Sequence, residues 1–293
     1  MLPERYTHSF WAMTTRCDLL FYGVDQAQGQ RLASAIEARV GALVLRYNFH
    51  SNDSWLSRAV NGRRHSRVPL NAEAIQVLHT VRKHAEQCGG VFDITVGTYA
   101  AKLKLASSAD EVAQLHSRLC QYTGLDRWWL DGDALVFDNS ITRIDLGGVI
   151  KEYAVDISAE LARDAGVLAG LVNYGGDLAC WGLKPDGQRF VAAIPNPQAP
   201  DSMLFGMDLY NQALTTSGHY ARQRNVKGGV LSHIVGHAVS PWLSCSVVSR
   251  SALVSGIYST ALLLKGDITL PADVLALAVN AQGQVHTLEG PTV

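Results

Sequence analysis

The spacing of apolar residues along the chain predicts a series of amphipathic helices. Between about Gln28 and Arg46, apolar side chains recur every three or four residues, which places them on one helical face. A second such pattern covers residues 71–88, with Asn71 as a candidate N-cap. Similar but shorter patterns predict helices at 108–120, just after the glycines at 147 and 148, and from Ser251 to near Gly266.

Short apolar runs between these helices predict β-strands. The first is CDLLFYGV near the N-terminus, and RWWL and ALVFD flank the turn sequence DGD. In the second half the runs are GLVNYGGD, LACWGL, RFVAAIP, MLFGMDLY, ALTTSG and SCSVVS, and ALAVNAQGQVHTLE predicts a hairpin. No internal repeat or low-complexity linker interrupts them. We therefore expect one α+β domain over residues 1–293.

Composition excludes some classes of partner. Apolar residues make up 47% of the 293 residues, and 25 Lys and Arg balance 26 Asp and Glu. The chain therefore lacks the surplus of positive charge typical of nucleic-acid-binding proteins. No stretch of about 18 apolar residues predicts a membrane span.

The cysteines and the N-terminal residues indicate the cellular compartment of the protein. The five cysteines are scattered and form no Cys-x-x-Cys pair, which favours reduced thiols over disulfides or a zinc site. The N-terminal residues do not show the charged and then apolar pattern of a secretory signal. These features predict a cytoplasmic protein.

Two glycine turns are candidate ligand loops: residues 145–148 (DLGG) and residues 173–177 (NYGGD). Paired glycines tolerate positive φ and let a ligand approach the main chain closely. The first pair leads into a helix, whose N-terminal N–H groups attract phosphate, and Lys151 would add a positive charge. Each pair could equally be only a turn, and the turns alone do not decide between the two interpretations.

Other familiar sites are not supported. The chain has neither the dinucleotide-binding Gly-x-Gly-x-x-Gly nor a P-loop. His233 and His237 are four residues apart, but HIVGH lacks the glutamate of a zinc-protease helix, so packed or solvated histidines are the favoured interpretation. Ser217 lacks the context of a nucleophilic serine.

Eight motifs, in order along nearly the whole chain, resemble the ApbE family of FAD:protein FMN transferases. They are FWAMTT, NDSWLSRAV, GGVFDITVG, DLGGVIKEYAVD, LVNYGGDL, ALTTSGHY, SHI and SGIYSTALLLKG. The resemblance implies a T-fold-like domain, with a mixed, largely antiparallel sheet and packed helices.

The resemblance also implies a reaction. The family transfers FMN from FAD to a Ser or Thr hydroxyl of a target flavoprotein and releases AMP, so FAD would be a substrate and Mg²⁺ a cofactor. The positions that correspond to FAD contacts are Met13, Tyr47, Val91, Phe92, Asp93, Asp145, Lys151 and Val235. Those that correspond to magnesium ligands are the carbonyl of Gly148 and the side chains of Ser259 and Thr260.

The chain departs from the family pattern on the chemical side of this site. The first aspartate of the family's metal-binding helix is Gly256, and the glycine after the family's lysine is Glu152. Thr14 replaces the glycine of the family's Met-Gly-Thr, and His219 replaces the aspartate of its Thr-Ser-Gly-Asp-Tyr. Because Mg²⁺ prefers charged oxygen ligands, we expect its binding to be weak or doubtful.

Three functions remain open on the sequence. The first is a working FMN transferase with altered metal coordination. The second is a catalytically impaired paralogue that binds a flavin or nucleotide, and the third is a structural paralogue without a ligand. The residue at position 256 distinguishes the first two, because an aspartate there would restore the family's metal ligand.

Overall fold

An eight-stranded antiparallel sheet is the largest element of the fold. The computed structural model describes residues 5–103, 108–218, 223–226, 229–232 and 240–291. The strands of the main sheet, in their order across it, are β1 (Arg5–Ala12), β2 (Thr15–Tyr22), β6 (Ala169–Tyr174), β7 (Asp177–Trp181), β10 (Gln212–Gly218), β13 (Trp242–Ser249), β14 (Leu275–Asn280) and β15 (Val285–Glu289). Every neighbouring pair is antiparallel.

Seven further strands form smaller sheets in the described parts of the chain. They are the three-stranded sheet of β3 (Arg67–Pro69), β5 (Ala134–Phe137) and β4 (Trp128–Asp131), the hairpin of β8 (Phe190–Asn196) and β9 (Ala199–Leu209), and the pair β11 (Gln223–Val226) and β12 (Gly229–Ser232). The α-helices are α1 (Gln26–Tyr47), α2 (Ala72–Gln87), α3 (Gly97–Leu103), α4 (Ala109–Leu119), α5 (Ile150–Asp164) and α6 (Ala252–Lys265).

The main sheet is covered on both faces, and β7 shows how. All five of its residues are buried. Since successive side chains of a strand point to opposite faces of the sheet, both faces must be covered here. Ala179 and Trp181 belong to the large core shared with α1, α5 and α6. Leu178 and Cys180 belong to a second core with Phe190 of the β8–β9 hairpin.

All five helices predicted from the sequence are present, and their caps agree. Asn71 accepts a hydrogen bond from the N–H of Ala74, and Ser251 accepts one from Val254. α5 ends at Asp164, and Gly166 follows with φ +86°. Of the two adjacent tryptophans in β4, Trp128 is buried and Trp129 is 42% exposed.

The sequence pattern did not predict three elements of the structure. β1 shows only one fully buried position, so its alternation is weak in the sequence. A π-helical turn, Leu56–Asn61, lies between α1 and β3, where the apolar pattern predicted neither helix nor strand. α3 follows a 3₁₀ turn, Ile94–Val96, in the glycine-rich segment. Its seven residues are too few for a helical period to show in the sequence.

No helix among the described residues is long and apolar enough to cross a membrane.

Candidate functional site

The first glycine turn lies between α3 and the start of α5. The side chain of Asp145 accepts a hydrogen bond from the N–H of Gly147 at 2.9 Å, and its own N–H donates to the carbonyl of Ile94 at 2.8 Å. Gly147 and Gly148 are exposed. Neither is in the left-handed region, so here the absence of side chains opens the main chain rather than permitting an unusual φ.

The second glycine turn connects β6 to β7. Gly175 and Gly176 have φ of +64° and +101°, as the paired glycines predict. The side chain of Asn173 accepts a hydrogen bond from the N–H of Gly176 at 2.8 Å. A side chain at Gly175 would overlap Thr15, so only glycine lets this turn pack against the start of β2.

Beside it, the β1–β2 hairpin turns through Met13 and Thr14, which have φ of +50° and +61°. Two positive φ values in a two-residue loop are typical of a type I′ turn, where Gly or Asn is preferred. A β-branched residue such as Thr14 is strained there. Met13 packs against the edge of the main core, and this turn adjoins the second glycine turn through Thr15.

Lys151 connects the two glycine turns. It lies in the first turn of α5, and its ammonium group contacts the carboxylate of Asp177, the residue that ends the second turn. The same ammonium lies 3.4 Å from Oε1 of Glu152. All three side chains are largely buried, so this ion pair sits in a low-dielectric environment where it is screened little by salt.

Glu152 faces Gly256 across the contact between α5 and α6. A Cβ atom placed on Gly256 would lie 2.8 Å from Cγ and 3.4 Å from Cδ of Glu152. The Glu152 side chain is 8% exposed, and its Oε2 atom has no hydrogen-bond partner. The glutamate therefore fills the space that any side chain at position 256 would need.

A cluster of hydroxyl groups lies where α6 meets β10. Oγ of Ser217, on β10, is 2.9 Å from Oγ of Ser259 and 3.2 Å from Oγ1 of Thr260. Ser259 also donates to the carbonyl of Gly256 at 3.1 Å. Gly256, Ser259 and Thr260 are spaced so that they share one face of α6.

Asp156 fixes α5 against the N-terminus of α6. Its carboxylate accepts hydrogen bonds from the hydroxyl of Ser251 at 2.6 Å and from the N–H groups of Ala252 and Leu253 at 2.7 and 3.0 Å. Burial raises the pKa of this carboxyl, and these hydrogen bonds oppose the shift. Asp156 is one turn after Glu152 on α5, so this contact sets how Glu152 meets α6.

The segment from Val91 to Asp93 lies beside the first glycine turn. The Phe92 ring is 4.0 Å from the position of a Cβ on Gly148, and Val91 packs at the edge of the core. Asp93 accepts hydrogen bonds from the N–H and hydroxyl of Thr95, so it caps the 3₁₀ turn. Burial raises the pKa of the Asp93 carboxyl.

Of the two remaining predicted flavin contacts, the structure describes Tyr47 but not Val235. Tyr47 is buried at the end of α1, where its hydroxyl donates to Glu73 at 2.9 Å and its ring packs edge-on against Trp55. Val235 lies outside the described residues, as do His219, His233 and His237. Nothing in the structure therefore tests those four positions.

The donor set can be compared with what a divalent cation requires. The described residues contain no group of three or more His, Cys, Asp and Glu side chains arranged to hold a metal. They do offer oxygens: the exposed main chain at Gly148, the hydroxyls of Ser259 and Thr260, and the unpartnered Oε2 of Glu152. Oxygen donors of this kind fit Mg²⁺, which completes its coordination with water and substrate phosphates.

Sequence reasoning missed the roles of Asp156, Asp177 and Ser217. Asp177 was noted only as an acid beside a glycine turn, and Ser217 was set aside as a candidate nucleophile. The one available signal was Asp156, which ends the motif DLGGVIKEYAVD.

Comparisons with known sequences agree with these motifs. A sequence model of the ApbE family matches residues 13–287. The FAD:protein FMN transferase of Klebsiella pneumoniae (strain 342) is 24% identical over 280 residues, which cover 91% of this chain and 78% of the relative. That of Vibrio cholerae serotype O1 is 26% identical over 234 residues, covering 74% and 68%.

Solved structures show the same fold. The ApbE protein of Thermotoga maritima superimposes with a TM-score of 0.85 at 21% identity, over 97% of this chain and 96% of that one. The flavin transferase ApbE of Vibrio cholerae does so with a TM-score of 0.80 at 19% identity, over 99% and 98%. The α+β fold with a largely antiparallel sheet is thereby confirmed.

Proposed function

The chain belongs to the ApbE family, and from that premise we propose that it is an FAD:protein FMN transferase. It would move FMN from FAD to a Ser or Thr hydroxyl of a target flavoprotein and release AMP. The relatives named above carry this activity in their names. The partners are then a flavin nucleotide and a flavoprotein.

The observation that carries the proposal is the contact between Lys151 and Asp177. It holds the start of α5, which follows the exposed glycines of the first turn, next to the glycine turn after β6, so that a helix N-terminus and an ammonium group converge. A pyrophosphate carries negative charge that such a convergence stabilises. The ammonium has three N–H donors, so its pairing with Asp177 leaves capacity for a phosphate oxygen.

The reaction is a phosphoryl transfer. The acceptor hydroxyl forms a bond to the phosphorus of the FMN half and gives up its proton to solvent. The bond from that phosphorus to the bridging oxygen breaks, and its electron pair leaves with AMP. Catalysis of such a step comes mainly from positioning and from stabilising charge on the phosphates. A divalent cation, when bound, neutralises part of that charge; the residues that would hold it include Gly148, Ser259 and Thr260.

Each part of the site has a task in this scheme. Asp145 and the segment from Val91 to Asp93, beside the first glycine turn, and Met13, beside the second, would orient the flavin and the adenosine. Lys151 would hold a phosphate oxygen. Tyr47 and Val235 stay as predicted contacts.

A second candidate is a catalytically impaired paralogue that binds a flavin or nucleotide. The observation that favours it is Gly256, which supplies no carboxylate from α6. The two candidates differ in whether bound FAD is cleaved.

The test is to incubate the protein with FAD, Mg²⁺ and a panel of acceptor peptides that carry Ser or Thr. Mass spectrometry would detect an FMN adduct on a peptide, and chromatography would detect AMP; peptides with Ala at the acceptor position serve as controls. We expect both products. FAD binding without AMP or adduct would favour the paralogue, and failure to bind FAD, FMN, ADP or AMP at millimolar concentration would reject both candidates.

A matched pair of variants tests the site. Lys151→Gln should weaken FAD binding and lower AMP release, whereas Lys83→Gln, at an exposed position of α2, should leave both unchanged. Thermal unfolding is measured alongside, because Lys151→Gln leaves the Asp177 carboxylate without its counter-ion.

A further inference from the structure

Glu152 is a buried carboxylate that is only half satisfied. Its Oε1 lies 3.4 Å from Nζ of Lys151, but Oε2 has no hydrogen-bond partner. Burying a charged oxygen without a partner is costly. Glu152 and Asp177 share the ammonium of Lys151, so two carboxylates and one cation leave one formal negative charge. A second cation at Oε2 would remove both the orphaned acceptor and the residual charge.

Helix α6, which packs against Glu152, supplies further oxygen donors. Glu152 packs against Gly256, whose missing side chain makes room for it. One turn further along the same face of α6 are Ser259 and Thr260, whose hydroxyls are linked through Ser217. A carboxylate that packs on Gly256 and hydroxyl groups one turn further along the same helix face offer hard oxygen ligands, which suit a small divalent cation.

We propose that Glu152 is the carboxylate ligand of a divalent-cation site completed by the hydroxyl groups of α6. The side chain reaches from α5 into the space that a carboxylate at position 256 would occupy, so the two helices have exchanged the ligand and the glycine. The expectation of weak magnesium binding considered position 256 alone. With Glu152 counted, the site keeps one carboxylate.

The role of this cation rests on the proposed function, since the cation would neutralise the pyrophosphate of FAD. Binding of the cation itself does not depend on transfer. It can therefore be measured with ADP in place of FAD, with no acceptor present.

The experiment is a titration of Mn²⁺ in the presence of ADP, in which electron paramagnetic resonance distinguishes free from bound Mn²⁺; the Mn²⁺ held by ADP alone is measured without protein and subtracted. Glu152→Gln keeps the shape of the side chain and removes its charge. Glu160→Gln is the matched control, because Glu160 is exposed on the same helix. We expect Glu152→Gln to weaken Mn²⁺ binding by about tenfold or more and Glu160→Gln to leave it unchanged.

The exchanged variant Glu152→Gly with Gly256→Asp provides a second test. It returns the carboxylate to α6, and it should bind Mn²⁺ within about threefold of the original protein if one carboxylate suffices. Restoration in this variant alongside loss in Glu152→Gln supports the proposal.

A purely structural ion pair between Glu152 and Lys151 gives a different pattern. Glu152→Gln would then lower the melting temperature but leave Mn²⁺ affinity as it was, which would overturn the proposal. Absence of Mn²⁺ binding by the original protein with ADP would also overturn it. FAD cleavage measured separately on that same protein would show whether the proposed function survives.

Discussion

The contact between Gly256 and Glu152 makes a stability prediction that needs no ligand. Gly256→Ala would place a Cβ 2.8 Å from Cγ of Glu152, inside the distance that real side-chain contacts reach. Glu152 is buried and tied to Lys151, so it cannot swing into solvent. Overpacking of this kind costs about 1–3 kcal/mol, while Ala gains about 1 kcal/mol over Gly inside a helix. We expect net destabilisation of up to about 2 kcal/mol.

Gly41→Ala is the matched control. Gly41 also lies inside a helix, α1, but a Cβ there would meet nothing within 4 Å. The substitution should therefore show the helix propensity alone and stabilise the protein by about 1 kcal/mol. The two glycine substitutions should differ by about 1–3 kcal/mol in the free energy of unfolding, measured by urea denaturation followed by circular dichroism.

A double-mutant cycle assigns the difference to Glu152. In a Glu152→Ala background the clash is absent, so Gly256→Ala should become stabilising, as Gly41→Ala is. The coupling energy between positions 152 and 256 should be about 1–3 kcal/mol, and that between 152 and 41 near zero. If Gly256→Ala stabilises the original protein as much as Gly41→Ala does, or if the coupling vanishes, the packing described between α5 and α6 is wrong.

Three further predictions concern other parts of the fold. Asp156→Asn should lower the free energy of unfolding by about 2 kcal/mol, because it places an amide donor against the N-terminus of α6. The control Asp164→Asn, exposed at the end of α5, should change that free energy little. Equal effects of the two substitutions in urea denaturation would contradict the role of Asp156. Thr14→Gly should raise the melting temperature by relieving about 1 kcal/mol of strain at φ +61°, and a lower melting temperature would show that the threonine makes a compensating contact. A thiol reagent at neutral pH should label Cys120, which is exposed, before Cys17, because burial raises the pKa of the Cys17 thiol to about 11; mass spectrometry of peptides from briefly labelled protein would reveal the opposite order.

The local sequence pattern determined most of the helices and strands of this protein. The apolar periodicity and the caps at Asn71 and Ser251 predicted α2 and α6 nearly to the residue, because those signals depend on neighbours within one or two turns. The hairpin of β14 and β15 and the strands around DGD were predicted for the same reason. The order of the family motifs indicated the fold before any distance was known.

Only the tertiary structure decided the site. Nothing near Glu152 in the sequence shows that it faces Gly256, because that contact depends on how α5 and α6 lie across the main sheet and on the bond from Asp156 to the start of α6. The sequence showed the loss of an aspartate at one position and of a glycine at another as separate changes. Packing makes them one change, since a side chain can fill that space from only one of the two helices at a time.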